Sequence, residues 1–483
     1  MLSTLLDNIF HPRSIAVVGA SENLMSAGNW FIRHLLDYGY TGHIYPITTR
    51  QSEIFNVKTY PSLKDTPGPV DYVICCVPAS GVLSILNDCT EKGVRAVHLY
   101  TGRFRETGIH DAADLEQEIL QRAKEIGVRL IGPNCMGMYH PKEGISFVYD
   151  LPTDSGDVGM FFQSGGSAGE IIRHSALRGL RFSKVVSYGN ALDLNESDYL
   201  EYFLQDTETK VIAGYVEGVK DGRRFFSTLR QGARSKPVVL LKAGTGASGA
   251  KSAASHTGSL AGSLHMWDAA LKQTGAINAR NADEMIDLMV GLCFLPPLYG
   301  KRVAIVGGGG GKSVLSADAW EAEGFSLPGL TKKIRREIKD RLPEMWWDWI
   351  GNPVDVSMLP QTAWTTGLTG DMLRMMAASP DYDLIVCNLT TDAPVGKDGL
   401  KLFVQPEVDQ VMEVAKEGKK PIVVVMNCPP LGIKDFDDWR WRMIAELQSQ
   451  FVAAQIPVYS TIAQAANTMS LLADYYHRRE LLL

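Results

Sequence analysis

Short β-branched runs recur along this chain, each stopping at glycine or proline before a helix-length amphipathic segment. Ser14-Ile-Ala-Val-Val-Gly19 ends in glycine, and Tyr72-Val-Ile-Cys-Cys-Val77 stops at Pro78. Ala96-Val-His-Leu-Tyr100 stops at Thr101-Gly102, and Val128-Arg-Leu-Ile131 stops at Gly132-Pro133-Asn134. Asp114 to Ile126 is one of the helical stretches between them. A strand that is apolar throughout must be covered on both faces, and helices alternating with strands supply that cover. The pattern predicts an α/β chain with parallel, doubly wound sheets.

The pattern restarts twice. Val158–Phe162, Lys184–Ser187, Val211–Val216 and Pro237–Lys242 form a second set of strands. Val303–Val306, Asp383–Cys387, Pro421–Met426 and Ile456–Tyr459 form a third, after the Pro296-Pro297 linker. Three α/β units are expected, at 1–145, 146–297 and 300–483. Met160-Phe-Phe-Gln-Ser-Gly-Gly-Ser167 and Ala304-Ile-Val-Gly-Gly-Gly-Gly-Gly-Lys-Ser313 open the second and third units alike, as copies of one fold would.

Lys and Arg number 48 against 54 Asp and Glu, a net charge of −6 that argues against a basic nucleic-acid binder. An anion site built from backbone N–H groups needs no net positive charge. Glycine supplies 46 of 483 residues, above the usual share of roughly 7 %, and it clusters at the apparent strand ends. The seven cysteines form no CxxC pair and no zinc spacing, so no metal site is expected and a reducing, cytoplasmic setting with free thiols is. The N-terminal stretch carries Asp7 and lacks a signal-peptide pattern, and no run of about 18 uncharged apolar residues predicts a membrane span.

The strand ends carry the candidate chemistry. Gly19-Ala20-Ser21 is either a phosphate-facing turn or a tight βα turn, without the full GxGxxG spacing. Arg50, after the strand Gly42–Thr48, either reaches a phosphorylated ligand or is a solvated surface charge. In Gly132-Pro-Asn-Cys-Met-Gly137, Cys135 has no nearby base and reads as a packed thiol rather than a nucleophile. Gln163-Ser164-Gly165-Gly166-Ser167 precedes an expected helix Ala168–Leu177 and is an anion cradle or a simple turn. It lacks the G-x-S-x-G spacing of a serine hydrolase.

Gly244–Gly262 is a run of small residues holding one imidazole, His256. Such a stretch builds no core and reads as a functional or disordered loop. A near-neutral imidazole is a competent nucleophile that can carry a phosphoryl group. Glu217, at the end of Val211–Val216, faces the same rim of a parallel sheet and is the natural carboxylate to orient it. Gly307–Gly311 with Lys312-Ser313 resembles a phosphate loop, but Val306 stands where that motif needs glycine. Anion loop, domain contact and structural turn stay open there. Trp346, Trp347 and Trp349 suggest an interface or a buried patch.

These residues together resemble the α subunit of the NDP-forming acyl-CoA synthetases, the relatives of succinyl-CoA synthetase. The resemblance spans essentially the whole chain. It rests on His11–Ser21, Gly132–Gly137, Gln163–Gly166, Ser187-Tyr-Gly-Asn-Ala191, Asn352-Pro-Val-Asp355 and, most specifically, Ser255-His-Thr-Gly-Ser-Leu-Ala-Gly262. It implies an N-terminal Rossmann-like CoA-binding domain and two flavodoxin-like ligase domains. The implied reaction interconverts acyl-CoA, phosphate and ADP with carboxylate, CoA and ATP through an acyl phosphate and a phosphohistidine. On this resemblance His256 carries the phosphoryl group and Glu217 orients it. Gln163, Ser164, Gly165, Gly166, Asn190, Thr257 and Gly258 bind phosphate or the acyl group, and Gly19, Ser21, Arg50, Val77, Pro78 and Asn134 line the CoA site. The chain departs from the family at Thr48-Thr49-Arg50, where relatives carry Asn-Pro-Lys, and in the glycine-rich turn at 307–311. ATP-grasp domains have no counterpart here, so the resemblance implies a separate ATP-grasp β subunit in an α2β2 assembly that binds ADP or ATP and Mg²⁺. The alternative function is a CoA-binding regulator or scaffold without catalysis. A nicotinamide dehydrogenase is disfavoured by the missing GxGxxG and by the lack of an acidic residue near Arg50.

Overall fold

The computed structural model of the protein describes residues 2–249, 251, 264–341, 350–358, 367–391, 396–427 and 439–482. Two compact units are present, Met1–Met289 and Val290–Leu483. The division falls inside the helix Ala282–Phe294, ahead of the Pro296-Pro297 pair.

The first unit holds two sheets. After the helix α1 (Leu2–Phe10) come the strands β1 (Ser14–Val18), β2 (His43–Ile47), a two-residue hairpin of β3 (Glu53–Ile54) and β4 (Val57–Lys58), β5 (Tyr72–Cys75), β6 (Ala96–Leu99) and β7 (Arg129–Ile131). The main sheet runs β2-β1-β5-β6-β7 with every pairing parallel. Its inner strands are buried along their length because helices lie on both faces: β1 and β5 expose none of their residues. At the β1 end, Gly19 has φ +90°, and a Cβ on Gly28 of the next helix would sit 2.1 Å from the Gly19 carbonyl oxygen. Only glycine permits that close approach of helix to strand end.

The second sheet contains β8 (Gly137–Tyr139), β9 (Val158–Phe162), β10 (Phe182–Ser187), β11 (Val211–Val216), β12 (Val238–Lys242) and β13 (Ile277–Ala279). Its order is β13-β12-β11-β9-β10-β8, parallel except for β8, which pairs antiparallel with β10. Apart from β8 this is the flavodoxin-like order, whose switch point lies between β9 and β11. Sequence periodicity misses β8 and β13, since three residues carry too little pattern. β8 lies before residue 146 and yet belongs to this second sheet.

Residues 190–194 run beside 130–133. The N–H groups of Asn190, Leu192 and Leu194 donate to the carbonyls of Pro133, Gly132 and Leu130 at 3.0, 2.9 and 3.2 Å. Arg129 adds a two-pronged ion pair to Asp193, at 2.7 and 3.0 Å. These bonds join the two sheets into one unit.

The second unit carries a four-stranded parallel sheet, β14 (Val303–Gly307), β15 (Leu384–Asn388), β16 (Ile422–Val425) and β17 (Val458–Tyr459), in that order. Val354 bridges Val306 on the free side of β14. A continuous aliphatic core, including Ile334, Met372, Val404 and Phe451, packs against one face.

Candidate functional site

The two residues at the switch point of the second sheet meet directly. Gln163 follows β9 and Glu217 follows β11, both nearly excluded from solvent. The Gln163 side-chain carbonyl accepts the backbone N–H of Glu217 and that of Gly218, the latter at 3.1 Å. Its amide nitrogen has no hydrogen-bond partner among the described residues, which leaves two donors on a side chain whose oxygen is committed. Glu217 is held from the other side too: Lys242, the last residue of β12, donates from Nζ to the Glu217 carbonyl at 2.6 Å and to the Ala243 carbonyl at 2.5 Å. Burial pushes the Lys242 ammonium below its usual range, and the Glu217 charge opposes that shift. Tyr215 places its hydroxyl 3.4 Å from Glu217 Oε1, and burial followed by that carboxylate raises the phenol to about 12.

The helix after Gln163 begins earlier than its sequence suggests. It spans Gly165–Leu177 rather than 168–177, with Ser164 as its N-cap. Gly165 and Gly166 are thus first-turn residues, and their N–H groups are among those a helix leaves without internal partners. A Cβ on Gly165 would collide with Met136 Cγ at 2.3 Å, whereas one on Gly166 meets nothing within 4 Å. The helix end is therefore packed on one side and open on the other. Ser164 Oγ turns to Ser167 Oγ at 3.1 Å and leaves the backbone donors uncapped.

Asn190 reaches this region from the loop after β10. Its side-chain amide donates to Glu106 Oε2 at 3.0 Å, and Glu106 Oε1 accepts the Arg103 N–H at 2.6 Å. Gly189 has φ +51°, and a Cβ there would lie 2.3 Å from the Pro133 oxygen. The loops after β7, β10 and β6 thus share one edge.

Of the residues expected to line the CoA site, Gly19 and Val77 touch: a Cβ on Gly19 would stand 3.3 Å from Val77 Cγ1. The Val77 carbonyl accepts from Thr101 Oγ1, and the Thr101 carbonyl accepts the Asn134 N–H at 3.0 Å. Pro78 begins a short 3₁₀ turn beside Val77. Ser21 Oγ accepts the Asn23 N–H at 3.1 Å, and Arg50 is exposed beyond β2. Because β1, β2, β5, β6 and β7 are parallel, all these residues stand at one rim of the first sheet.

Cys135 is nearly fully buried and burial pushes its thiol far up, which agrees with a packed thiol and not a nucleophile. His256, Thr257 and Gly258 lie outside the described residues, as do Trp346, Trp347 and Trp349. Lys242 and Glu106 were not singled out from sequence. A lysine closing the apolar run Val238–Leu241 was a usable signal; nothing local marked Glu106.

Two domain families match the chain: a CoA binding domain over residues 13–141 and a succinyl-CoA ligase-like flavodoxin domain over residues 155–292. The α subunit of acetate–CoA ligase [ADP-forming] II from Pyrococcus furiosus is 40% identical over 353 residues, covering 73% of this chain and 76% of the relative. The α subunit of acetate–CoA ligase [ADP-forming] I of the same organism is 38% identical over 328 residues, covering 67% and 71%. The solved dinucleotide-forming acetyl-coenzyme A synthetase 1 of Ca. Korarchaeum cryptofilum, in complex with phosphate and ADP, superposes with a TM-score of 0.84 at 30% identity, over 99% of this chain and 98% of that one.

Proposed function

This chain belongs to the α-subunit family of the ADP-forming acetate–CoA ligases, and from that premise we propose how its own residues carry the reaction. It interconverts acyl-CoA, phosphate and ADP with carboxylate, CoA and ATP. In the direction of ATP formation a phosphate oxygen attacks the thioester carbonyl, the C–S bond breaks, and CoA leaves as the thiolate. The acyl phosphate then passes its phosphoryl group to a ring nitrogen of His256, releasing the carboxylate. ADP takes the phosphoryl group from that nitrogen.

The observation that carries this reading is Gln163 at the switch point. Its oxygen fixes the backbone of Glu217, while its two amide hydrogens are left for an anion beside the open helix end at Gly166. Phosphate suits such a site because N–H donors and the positive end of a helix dipole both favour negative charge. Ser164, Gly165 and Gly166 supply backbone donors, Asn190 borders the acyl group, and Thr257 and Gly258 flank the reacting imidazole. Glu217 accepts the second ring N–H of His256, which sets the tautomer and leaves the other nitrogen as nucleophile.

CoA lies along Gly19, Ser21, Arg50, Val77, Pro78 and Asn134. Residues 1–145 hold CoA, 146–297 carry the phosphohistidine, and 300–483 form the second ligase domain. The subunit naming of the relatives supports a partner chain. We assign that partner an ATP-grasp fold, the ADP and Mg²⁺ sites and an α2β2 assembly, in the cytoplasm. Among the described residues no helix is long and apolar enough to cross a membrane.

The test is phosphoryl labelling of the chain with its β partner from radiolabelled ATP. An acid-labile label is expected on the wild type and none on His256→Ala. Label that survives His256→Ala overturns the assignment. Glu217→Gln is expected to slow labelling by about 10²-fold or more, the scale of a lost proton-handling partner.

A further inference from the structure

The imidazoles of His11 and His140 meet at the rim of the second sheet opposite Gln163 and Glu217. His11 follows α1. His140 follows β8, whose first residue Gly137 pairs with Ser187 at the functional rim, so the antiparallel strand delivers His140 to the far edge. The two rings stand 4.9 Å apart, centroid to centroid, at 75°.

Hydrogen bonding settles the His140 tautomer. His140 is fully buried, and its Nδ1 lies 2.9 Å from the Phe10 carbonyl, which can only accept. The proton therefore sits on Nδ1, and Nε2 presents a lone pair with no partner. Leaving a buried polar atom unpaired costs about 1–3 kcal/mol. His11 Nδ1 lies 2.8 Å from Glu143 Oε1, and its Nε2 lies 3.8 Å from Asp7 Oδ1. One ligand atom from each of His11, His140 and Glu208 falls within 4.8 Å of the others.

His140 thus carries the outer-shell pattern of metal-bound histidine, one nitrogen donating to a carbonyl and the other free to ligate, and His11 likewise has one nitrogen on a carboxylate. The surrounding charge agrees. Asp7, Glu143, Asp206 and Glu208 supply four carboxylates, and Lys142 and Lys184 supply two ammonium groups that pair with Glu208 and Asp206. With Lys236, whose ammonium bonds the Asp206 carbonyl, one negative charge remains.

We propose that His11, His140 and Glu208, with a water molecule in the fourth position, form a structural site for a borderline divalent cation of the zinc type. Two imidazoles, one carboxylate and a water suit a tetrahedral cation with bonds of about 2.0–2.2 Å. The ion would pin α1 to β8 and to the turn after the helix Glu196–Gln205, beside the stacked Phe10 and Tyr202 rings, whose centroids are 4.7 Å apart. Nothing in the spacing of residues 11, 140 and 208 reveals this, because fold closure alone brings them together.

The test uses the full chain after chelator treatment, titrated with Zn²⁺ by calorimetry and with Co²⁺ by visible absorption. One saturable equivalent, the d–d bands of tetrahedral Co²⁺ and a higher thermal midpoint are expected. His11→Gln, at a half-buried position, should lose that equivalent while keeping CoA binding. Glu143→Gln should weaken it by about 10–100-fold, as loss of an outer-shell partner does. Absence of a saturable equivalent, or binding unchanged in both His11→Gln and His140→Gln, overturns the site.

Discussion

The Gln163 side-chain oxygen accepts hydrogen bonds from two consecutive backbone N–H groups, those of Glu217 and Gly218, across the switch point of the second sheet. One residue therefore links the helix end proposed to face an anion to the carboxylate proposed to orient His256. Gln163→Leu leaves both N–H groups unpaired in a buried setting and should cost about 1–3 kcal/mol of stability. Gln163→Glu keeps acceptor oxygens and should recover most of that stability. It places negative charge beside the proposed phosphate, so the apparent KM for phosphate should rise by about tenfold or more, equivalent to about 1.4 kcal/mol. Urea unfolding and phosphate-dependent kinetics check the two halves separately, and an unchanged phosphate KM in Gln163→Glu removes Gln163 from the anion site.

Lys242 holds the carbonyls of Glu217 and Ala243 with one ammonium group. It ties the end of β11 to the start of the small-residue segment that leads to His256. Lys242→Met should lower kcat by about 10–100-fold, the scale expected when a reacting group shifts by about 1 Å. The KM for CoA should stay near wild type, since the proposed CoA rim lies on the first sheet. A parallel loss of CoA affinity in a folded variant would show that the lysine acts on the whole unit and not on Glu217.

Gly166 and Gly189 predict opposite outcomes for the same substitution. Gly166→Ala meets open space and replaces glycine inside a helix, so folding should be unharmed or improved by up to about 1 kcal/mol. Phosphate should bind more weakly, because the methyl group occupies the open face of the helix end. Gly189→Ala drives Cβ into the Pro133 and Asn134 oxygens at 2.3 and 2.5 Å from a left-handed backbone. It should destabilise the unit by several kcal/mol, on the order of other severe core changes. Thermal melts of both variants with and without phosphate decide the matter; a Gly166→Ala chain that binds phosphate normally sinks the cradle.

Acid should destabilise the first unit through His34 and His98. Burial lowers both imidazoles from 6.5 to about 4; the Asp37 charge opposes this for His34, and the Cys135 carbonyl opposes it for His98. The unfolded chain binds these protons once pH falls below about 6.5, while the folded chain resists them until about 4. Stability is thus fully present above 6.5 and drains away as pH falls to 4, on the order of 3 kcal/mol for each ring. Urea midpoints measured between pH 7 and pH 4 should fall less steeply in His98→Asn than in the wild type. Equal slopes would mean that His98 takes its proton as readily folded as unfolded.

The repeated strand-to-helix pattern was legible because burial on both faces demands a continuous apolar run, and such a run is visible in five residues. β1, β9, β11 and β14 follow from it almost residue for residue. β8 and β13 did not, since three residues show no periodicity and an antiparallel edge strand breaks the expected alternation. The start of the helix at Gly165 was hidden for a related reason: two glycines carry poor helix propensity, and tertiary packing against Met136 overrides it. Glu217 and the Gln163–Gly166 stretch were legible as strand-end residues of the right chemical type.

By itself, then, the sequence determined the class of fold and the family to which the chain belongs. These follow from local patterns and short motifs. Tertiary structure alone decided that Gln163 grips the Glu217 backbone, that Lys242 supports it from behind, and that His11 meets His140. Each of these contacts joins residues far apart in the chain. Their meeting depends on strand order and on the antiparallel turn of β8, which no local interaction encodes.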